Sequence, residues 1–395
     1  MLQAVPARRS LSGFFLSGLL MASLGALLPA WGYHIRSDYL EIGNYFLSLN
    51  LGLIVSVYIN SSILSGKGIG FKLVLGSSLG SASFVWLALV PPCANPAWRV
   101  LAMVPMGVAA GLLNTSVFHA ISRLYLLEPA ATVNLAGIFF VSGCLATSML
   151  VAGTFYVYTV PSILLFLALL PAIFAGLYAK HGFEQPPLPK HRSLKQTLED
   201  FKSPAAILLG LLLFIQFGNE WSIAGWLPLF LTQRLGISPA SSLEVLSVYW
   251  LSLMLCRVVV QWLLPRVRHG GLLAGSGLSA VFGCTILLFT NNLFGAHVGV
   301  LMLGGGFAAV YPLVVEKIGD CFPYYHPGFF NGIFSFAMTG GLLAPWTMGI
   351  YAHWWGIRVI MLLPMVGACM VSVLVALIWL YARLTAAPRI SEAAH

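Results

Sequence analysis

Charge is what this chain has least of. Of its 395 residues only 8% are Asp, Glu, Lys or Arg, while 59% are hydrophobic and the mean hydropathy is +0.91. A soluble domain carries about 25% charged residues, so this chain could not clothe a water-facing surface, and a soluble globular fold is excluded. Segments of about 10 residues with strict polar–apolar alternation are also missing, which excludes a membrane barrel. No G-x-x-x-x-G-K-[ST] pattern is present, and the polar loops are too short to hold a nucleotide-binding domain, which argues against an ATP-driven pump. An integral-membrane enzyme would need a nucleophile, base or metal cluster near an interface; there is no H-E-x-x-H and no such carboxylate pair. The cysteines are few (Cys93, Cys144, Cys256, Cys284, Cys321 and Cys369) and none forms a C-x-x-C pair. Four lie inside apolar runs, where a free thiol behaves as a small hydrophobe. No disulfide framework, metal or cofactor is expected. The net charge of +9 does not point to nucleic acid either, because the basic residues sit in short loops and form no patch interleaved with aromatics.

What the chain does have is long apolar stretches. Each runs roughly 20 residues, the length of a bilayer-spanning helix, and in lipid a helix satisfies all its backbone hydrogen bonds internally. Twelve are read, at about 12–31, 41–64, 71–92, 98–125, 134–156, 160–179, 205–232, 241–264, 270–290, 293–316, 328–350 and 357–382. The one polar linker, 180–204, contains Pro186, Pro187, Pro189, Lys190, His191, Arg192 and Lys195. Its part from Ser193 to Lys202 reads as a short amphipathic helix at the membrane surface. The linker divides the chain into six-helix units at 1–179 and 205–395. With the N-terminus inside, the far side receives only Arg36, Arg99, Arg234 and Arg358, and every other Lys and Arg except Arg257 falls on the near side. By the positive-inside rule both termini and the linker are expected in the cytoplasm, in a bacterial inner membrane. Arg8-Arg9 then reads as a juxtamembrane anchor rather than a twin-arginine export signal.

Sliding the chain on itself by 199 residues aligns the halves without a gap across four helices. Ser23, Leu28 and Pro29 meet Ser222, Leu227 and Pro228; Leu73, Gly76, Ser77 and Leu79 meet Leu272, Gly275, Ser276 and Leu278; Met103, Gly107, Ala109 and Ala110 meet Met302, Gly306, Ala308 and Ala309. In the fifth helix the identities shift to an offset of 195, where Gly137-Ile138-Phe139 meets Gly332-Ile333-Phe334. The fold expected is therefore an all-α integral membrane bundle of two parallel six-helix repeats.

Particular residues add a resemblance. The stretch Gly218-Asn219-Glu220-Trp221-Ser222-Ile223-Ala224-Gly225-Trp226-Leu227 resembles the G-x-E-x-x-x-x-G-W-[LI] segment of the fucose–galactose–glucose/H⁺ symporter group of the major facilitator superfamily. Arg257 matches that group's arginine in the eighth helix. Gly305 to Pro312, then Gly340-Gly341 and Pro345-Trp346, resemble its tenth and eleventh helices, and Asn134, Phe140 and Gly143 its fifth. The likeness implies a twelve-helix transporter working by alternating access, with a sugar-like solute and proton coupling. The chain departs from the pattern in two places. Its cytoplasmic loop Lys67-Gly68-Ile69-Gly70-Phe71-Lys72 lacks the superfamily's acid. Where the group's sugar/H⁺ symporters carry acids in the first and fourth helices, this chain has an uncharged first run and, in the fourth, Asn114 and His119.

Of the eleven acids, Glu220 alone lies near a helix centre. An intramembrane charge costs roughly 2.5–3.5 kcal/mol on insertion scales and usually faces a bundle interior or a water-filled path. Glu220 is thus the candidate proton carrier or solute ligand; the bland alternative is a structural acid. Gln216, Asn219 and Glu220 stand at i, i+3 and i+4, which puts them on one helix face. Arg257 is the matching cation, a gate or structural ion-pair candidate. It lies roughly 10 Å from Glu220 in depth at 1.5 Å per residue, so a cytoplasmic-side anchor is the reading preferred over a permanent pair. Mid-helix polar and aromatic residues that could line a site are Asn114, His119, Ser142, Tyr249, Trp250, Tyr311, Asn331, Ser335 and Thr339, each also explicable by ordinary interhelical hydrogen bonding. These groups point to an uncharged or weakly polar solute, a sugar or small polyol, carried by a monomer with protons as the coupling ion. The competing functions are export of amphiphilic compounds or lipids, and a non-transporting receptor of the same fold.

Overall fold

In the computed structural model, which describes residues 5–34, 38–64, 66–91, 93–183, 199, 201–322 and 333–385, the apolar runs fold as helices. They are α1 (Val5–His34), α2 (Tyr39–Tyr58), α3 (Ile69–Leu89), α4 (Ala97–Ala120), α5 (Ser122–Leu127), α6 (Pro129–Thr154), α7 (Val160–Lys180), α8 (Pro204–Leu235), α9 (Pro239–Leu263), α10 (His269–Phe289), α11 (Leu293–Ala308), α12 (Val310–Cys321), α13 (Ile333–Trp355) and α14 (Val359–Thr385). Among the described residues twelve spans are long and apolar enough to cross a membrane, with α11 and α12 forming a single broken one and α5 too short to count. The protein is a multi-pass integral membrane protein. Its spans alternate in direction, so one face carries the start of α1 and the end of α14 (the terminal face) and the other carries the α1–α2, α8–α9 and α13–α14 turns (the far face).

Local chemistry sets the boundaries. Pro129, Pro204 and Pro239 open α6, α8 and α9, where a missing N–H loses nothing. The Ser238 hydroxyl caps α9 by accepting from the Ser241 N–H at 3.1 Å, and Asn292 caps α11 by accepting from the Gly295 N–H at 2.7 Å. Gly236 ends α8 at φ 66°, a left-handed conformation that favours glycine. Two runs read as continuous are interrupted. The fourth ends at Ala120 and is followed by the separate α5. The tenth breaks at Ala309, because the Pro312 ring clashes with the Ala308 carbonyl one turn back and offers it no N–H. The amphipathic helix expected from Ser193 to Lys202 lies outside the described residues, apart from Glu199, Phe201 and Lys202.

Glycines let the helices touch backbone to backbone. A Cβ on Gly18 would collide with the Phe140 carbonyl, and one on Gly143 with the Phe15 carbonyl, which fastens α1 to α6; Gly340 stands in the same way over the Phe214 carbonyl and fastens α8 to α13. Phe214 follows Phe15 by 199 residues, whereas Gly340 follows Gly143 by 197. Packing therefore sets the fifth-helix offset at 197 rather than the 195 read from identities. Three matching apolar residues arise easily by chance, but only one glycine per repeat can meet that carbonyl. The same helix pairs pack in both halves: α3 with α7 answers α10 with α14, and α2 with α4 answers α9 with α11. Hydroxyls add interhelical ties by donating to carbonyls, as Ser17 does to Ala110, Ser81 to Ala168 and Ser252 to Leu301. Trp98, Tyr156, Trp354 and Trp355 are exposed near the far face, and Trp262 and Trp379 near the terminal face, where amphipathic rings meet the headgroups.

Candidate functional site

The polar face predicted on α8 divides when the helix is packed. Gln216 Nε2 donates to Glu220 Oε1 at 2.8 Å, so these two stay together one turn apart. Asn219 turns instead toward α14: a Cβ on Gly367 would collide with its amide, and its Nδ2 has no hydrogen-bond partner among the described residues. A 100° step per residue is enough to send neighbours to different helices once both sides are covered by protein.

Glu220 opens onto a cavity of about 140 Å³ between the two six-helix halves. The first half supplies Phe14 and Met21 from α1, Asn114, Thr115 and Phe118 from α4, and Gly137 and Phe140 from α6; the second supplies Phe217, Glu220 and Trp221 from α8, Arg257 from α9, Tyr311 from α12 and Phe334 from α13. Aromatic residues are the largest group in the walls. Phe14 and Phe118 meet edge to face at 4.7 Å, as do Phe140 and Trp221, from opposite halves, at 6.0 Å. Polar groups are few: Asn114, Thr115, Glu220, Arg257 and Tyr311.

Arg257 is 4% exposed, yet its Nε has no hydrogen-bond partner and no ion pair within 4 Å is formed with any described residue. It shares the cavity with Glu220 without pairing to it. The depth separation expected from sequence is bridged because a long side chain reaches inward along the cavity wall, made possible by Gly137, where a Cβ would collide with Arg257 Nη1. The backbone of Arg257 is anchored separately. Its carbonyl accepts from Asn134 Nδ2 at 2.7 Å, and the same amide donates to Gln261 Oε1 at 2.8 Å.

The remaining sequence candidates are scattered. Tyr249 and Trp250 pack ring against ring at 5.0 Å in the core, off the cavity, with Tyr249 Oη and Trp250 Nε1 without a hydrogen-bond partner among the described residues. His119 is buried one residue beyond the wall residue Phe118 and is engaged within the protein. Ser335 is half-buried beside Phe334 but is not in the wall. The Ser142 and Thr339 hydroxyls donate to their own helices, at the Phe139 and Phe336 carbonyls. Asn331 lies outside the described residues. What the sequence did not single out is the aromatic wall, together with Thr115 and Gln261. In a chain this apolar, a phenylalanine facing a cavity has the same local pattern as one in the core; only Phe140 had a signal, through the family pattern.

The cavity is sealed on its far-face side by the two halves. Pro228 leaves the Ala224 carbonyl without its helical N–H, and Gly25 of α1 packs directly against that carbonyl and Gly225. Above it Phe46 lies 5.8 Å from the Trp226 ring, and Trp226 Nε1 donates to the Pro345 carbonyl at 3.0 Å. Gly43 and Gly349 bring α2 against α13; Tyr39 Oη donates to Gln233 Oε1, and His353 Nδ1 stands 3.2 Å from Asp38 Oδ1. Toward the terminal face the halves are joined through Asn134. Asn134→Ala removes both of its bonds and leaves a buried carbonyl without that donor, at about 1–3 kcal/mol. The expected outcome is faster labelling, from the terminal face, of a thiol placed in the cavity wall, with little change in thermal stability of either half.

The chain is similar over its length to proteins of known class. The profile of the Major Facilitator Superfamily matches residues 130–341. An uncharacterized MFS-type transporter of Yersinia pestis is 21% identical over 308 residues, covering 78% of each chain. Among solved structures, a variant of the Escherichia coli fucose:proton symporter FucP superposes with a TM-score of 0.64 at 16% identity, over 95% of this chain and 98% of that one. The nucleoside transporter NupG superposes at 0.66 and 15% identity, over 96% of this chain and all of NupG. At such identities the structures share a fold and nothing finer, while the profile covers more than half of the chain. Twelve spans in two repeats, a cavity between them and a matching family profile agree: the chain belongs to the Major Facilitator Superfamily.

Proposed function

We propose that this protein is a proton-coupled secondary transporter that moves a small solute by alternating access. Its halves, 1–179 and 205–395 joined through 180–204, rock about the cavity, with Glu220 taking a proton from one side and releasing it to the other. The observation that carries this reading is the placement of Glu220. The acid nearest a helix centre lies in the wall of the inter-half cavity, with one oxygen accepting from Gln216 and no second hydrogen bond to its carboxylate among the described residues. A purely structural acid would be expected to bury both oxygens against donors.

The cavity is about as large as the ~150 Å³ apolar cavity that admits a benzene ring, so the solute is the size of one ring with small substituents. A sugar or polyol is supported by Asn114, Thr115 and Tyr311 as hydroxyl partners and by the fold shared with the fucose symporter and the nucleoside transporter. Export of an amphiphilic compound is the second reading, favoured by the seven aromatic side chains of the wall. The positive loops support a cytoplasmic location for both termini and the linker in a bacterial inner membrane, and a monomer is supported by a cavity lined from both halves of one chain. The test is proton movement in proteoliposomes while a panel of sugars and amphiphiles is added. Alkalinisation of the medium driven by one compound supports the reading; solute flux with no proton movement sinks the coupling and leaves facilitated diffusion.

A further inference from the structure

We infer that the solute carries a single carboxylate on a compact apolar or aromatic body, and that Arg257 is the group that holds its head. The inference rests on reading the cavity as the transport site. Its starting point is a guanidinium that is 4% exposed and faces the cavity, whose Nε has no hydrogen-bond partner among the described residues and which forms no ion pair within 4 Å among them, the Glu220 carboxylate acting on it only across the cavity. A buried cation without a partner is strongly unfavourable. Arginine's planar fork matches a carboxylate with two parallel N–H···O bonds. The backbone of Arg257 is anchored by Asn134, and Gly137 leaves room for Nη1 against α6, so the side chain has space to present its donors to the cavity. The rest of the wall suits the other end of such a molecule, since Phe14, Phe118, Phe140, Phe217, Trp221 and Phe334 offer faces and edges to a ring.

The acid in the same cavity explains how such an anion could be coupled to protons. In the empty cavity, ionised Glu220 and Arg257 sum to zero. Once Glu220 is protonated, the guanidinium is left as the sole charge and can accept a carboxylate, and the sum is again zero. One monoanion and one proton therefore cross together with no net charge moving through the membrane. A neutral sugar carried with a proton would instead move one positive charge per cycle. Tyr311 faces the pair from α12; Cys144 of α6 and Tyr249 of α9 lie behind the wall within electrostatic reach of both. None of these three supplies a second cation.

Calorimetry on the purified protein with benzoate and its neutral isostere benzamide tests the inference. Wild type is expected to bind benzoate about 10- to 100-fold more tightly than benzamide, the range of a charge-assisted bond. Arg257→Gln should abolish that preference and Arg257→Lys keep part of it, while Glu220→Gln should retain benzoate binding and remove its strengthening at low pH. In proteoliposomes, the benzoate-driven proton uptake in excess of that in protein-free vesicles, where benzoic acid crosses the bilayer unaided, should not respond to an imposed membrane potential. Equal affinity for the two probes, binding of neither, or a preference that survives Arg257→Gln overturns the inference; the wild-type comparison needs no variant to fold. If a sugar drives proton flux and benzoate does not bind, the carboxylate is wrong and the transport reading stands. If benzoate binds through Arg257 but neither it nor any other solute moves, the ligand site stands and the transport reading fails.

Discussion

Replacing Glu220 by Gln is expected to abolish uphill accumulation while leaving exchange of solute across the membrane intact. One proton per cycle lets a gradient of one pH unit, worth about 1.4 kcal/mol, sustain about a tenfold solute gradient. Glutamine cannot bind and release a proton, so the ratio should fall from about ten to about one. It keeps the shape of the protonated acid and can still accept from Gln216 Nε2, whose bond to Glu220 Oε1 is 2.8 Å, so the cavity should bind and rock as before. Counterflow, in which labelled solute exchanges for unlabelled solute with no gradient, separates the two. Lost accumulation with preserved counterflow identifies Glu220 as the proton carrier. Normal accumulation in the variant would make it a brace between α8 and its neighbours, and loss of both activities would make it a solute ligand.

The second large effect is expected at the far-face seal. Gly25 packs against the Ala224 carbonyl and Gly225, and the obstruction to a larger side chain there is backbone, which cannot swing aside. Gly25→Leu should therefore oppose closure of the halves above the cavity. Overpacking at such a contact costs about 1–3 kcal/mol, which shifts an open–closed equilibrium by about 5- to 150-fold. A thiol introduced by Thr115→Cys, in a background without the exposed Cys93, Cys321 and Cys369, should react with a membrane-impermeant reagent from the far face at a rate raised by that order. Net transport should fall with it. Gly176→Leu serves as the control, because a Cβ there meets nothing within 4 Å and should change neither rate. Unchanged labelling in Gly25→Leu would show that the seal is not the moving contact.

Both predictions start from one residue that was legible in the chain and another that was not. Glu220 was legible because an acid in the middle of a spanning run is costly in any packing arrangement. Gly25 was one glycine among 40, and only its position opposite a carbonyl freed by Pro228 gives it a role. Asn219 shows the limit of periodicity from the other side. It shares a helix face with Gln216 and Glu220 by spacing, yet it packs against Gly367 of α14 rather than into the cavity. Arg257 was expected to anchor at the cytoplasmic end, and the structure instead brings it into the same cavity as Glu220.

The sequence by itself determined the membrane class, the twelve spans and their arrangement as two six-helix repeats. These follow from quantities that do not depend on tertiary contacts: the apolar length needed to cross a bilayer, the demand that each backbone group be bonded within its own helix, and a repeat visible at a constant offset. Only the tertiary structure decided which side chains meet. In water, the apolar stripe of a helix tells which face points inward. In lipid both faces are apolar, so Phe118 in the cavity wall and Leu126 on the exterior have the same local signature. The direction of each face is set by close packing against neighbouring helices, through the glycines and carbonyls that fix where two backbones touch. That is why the acid could be found by reading the chain, whereas the aromatic walls around it and the unpaired arginine beside it could be found only by folding it.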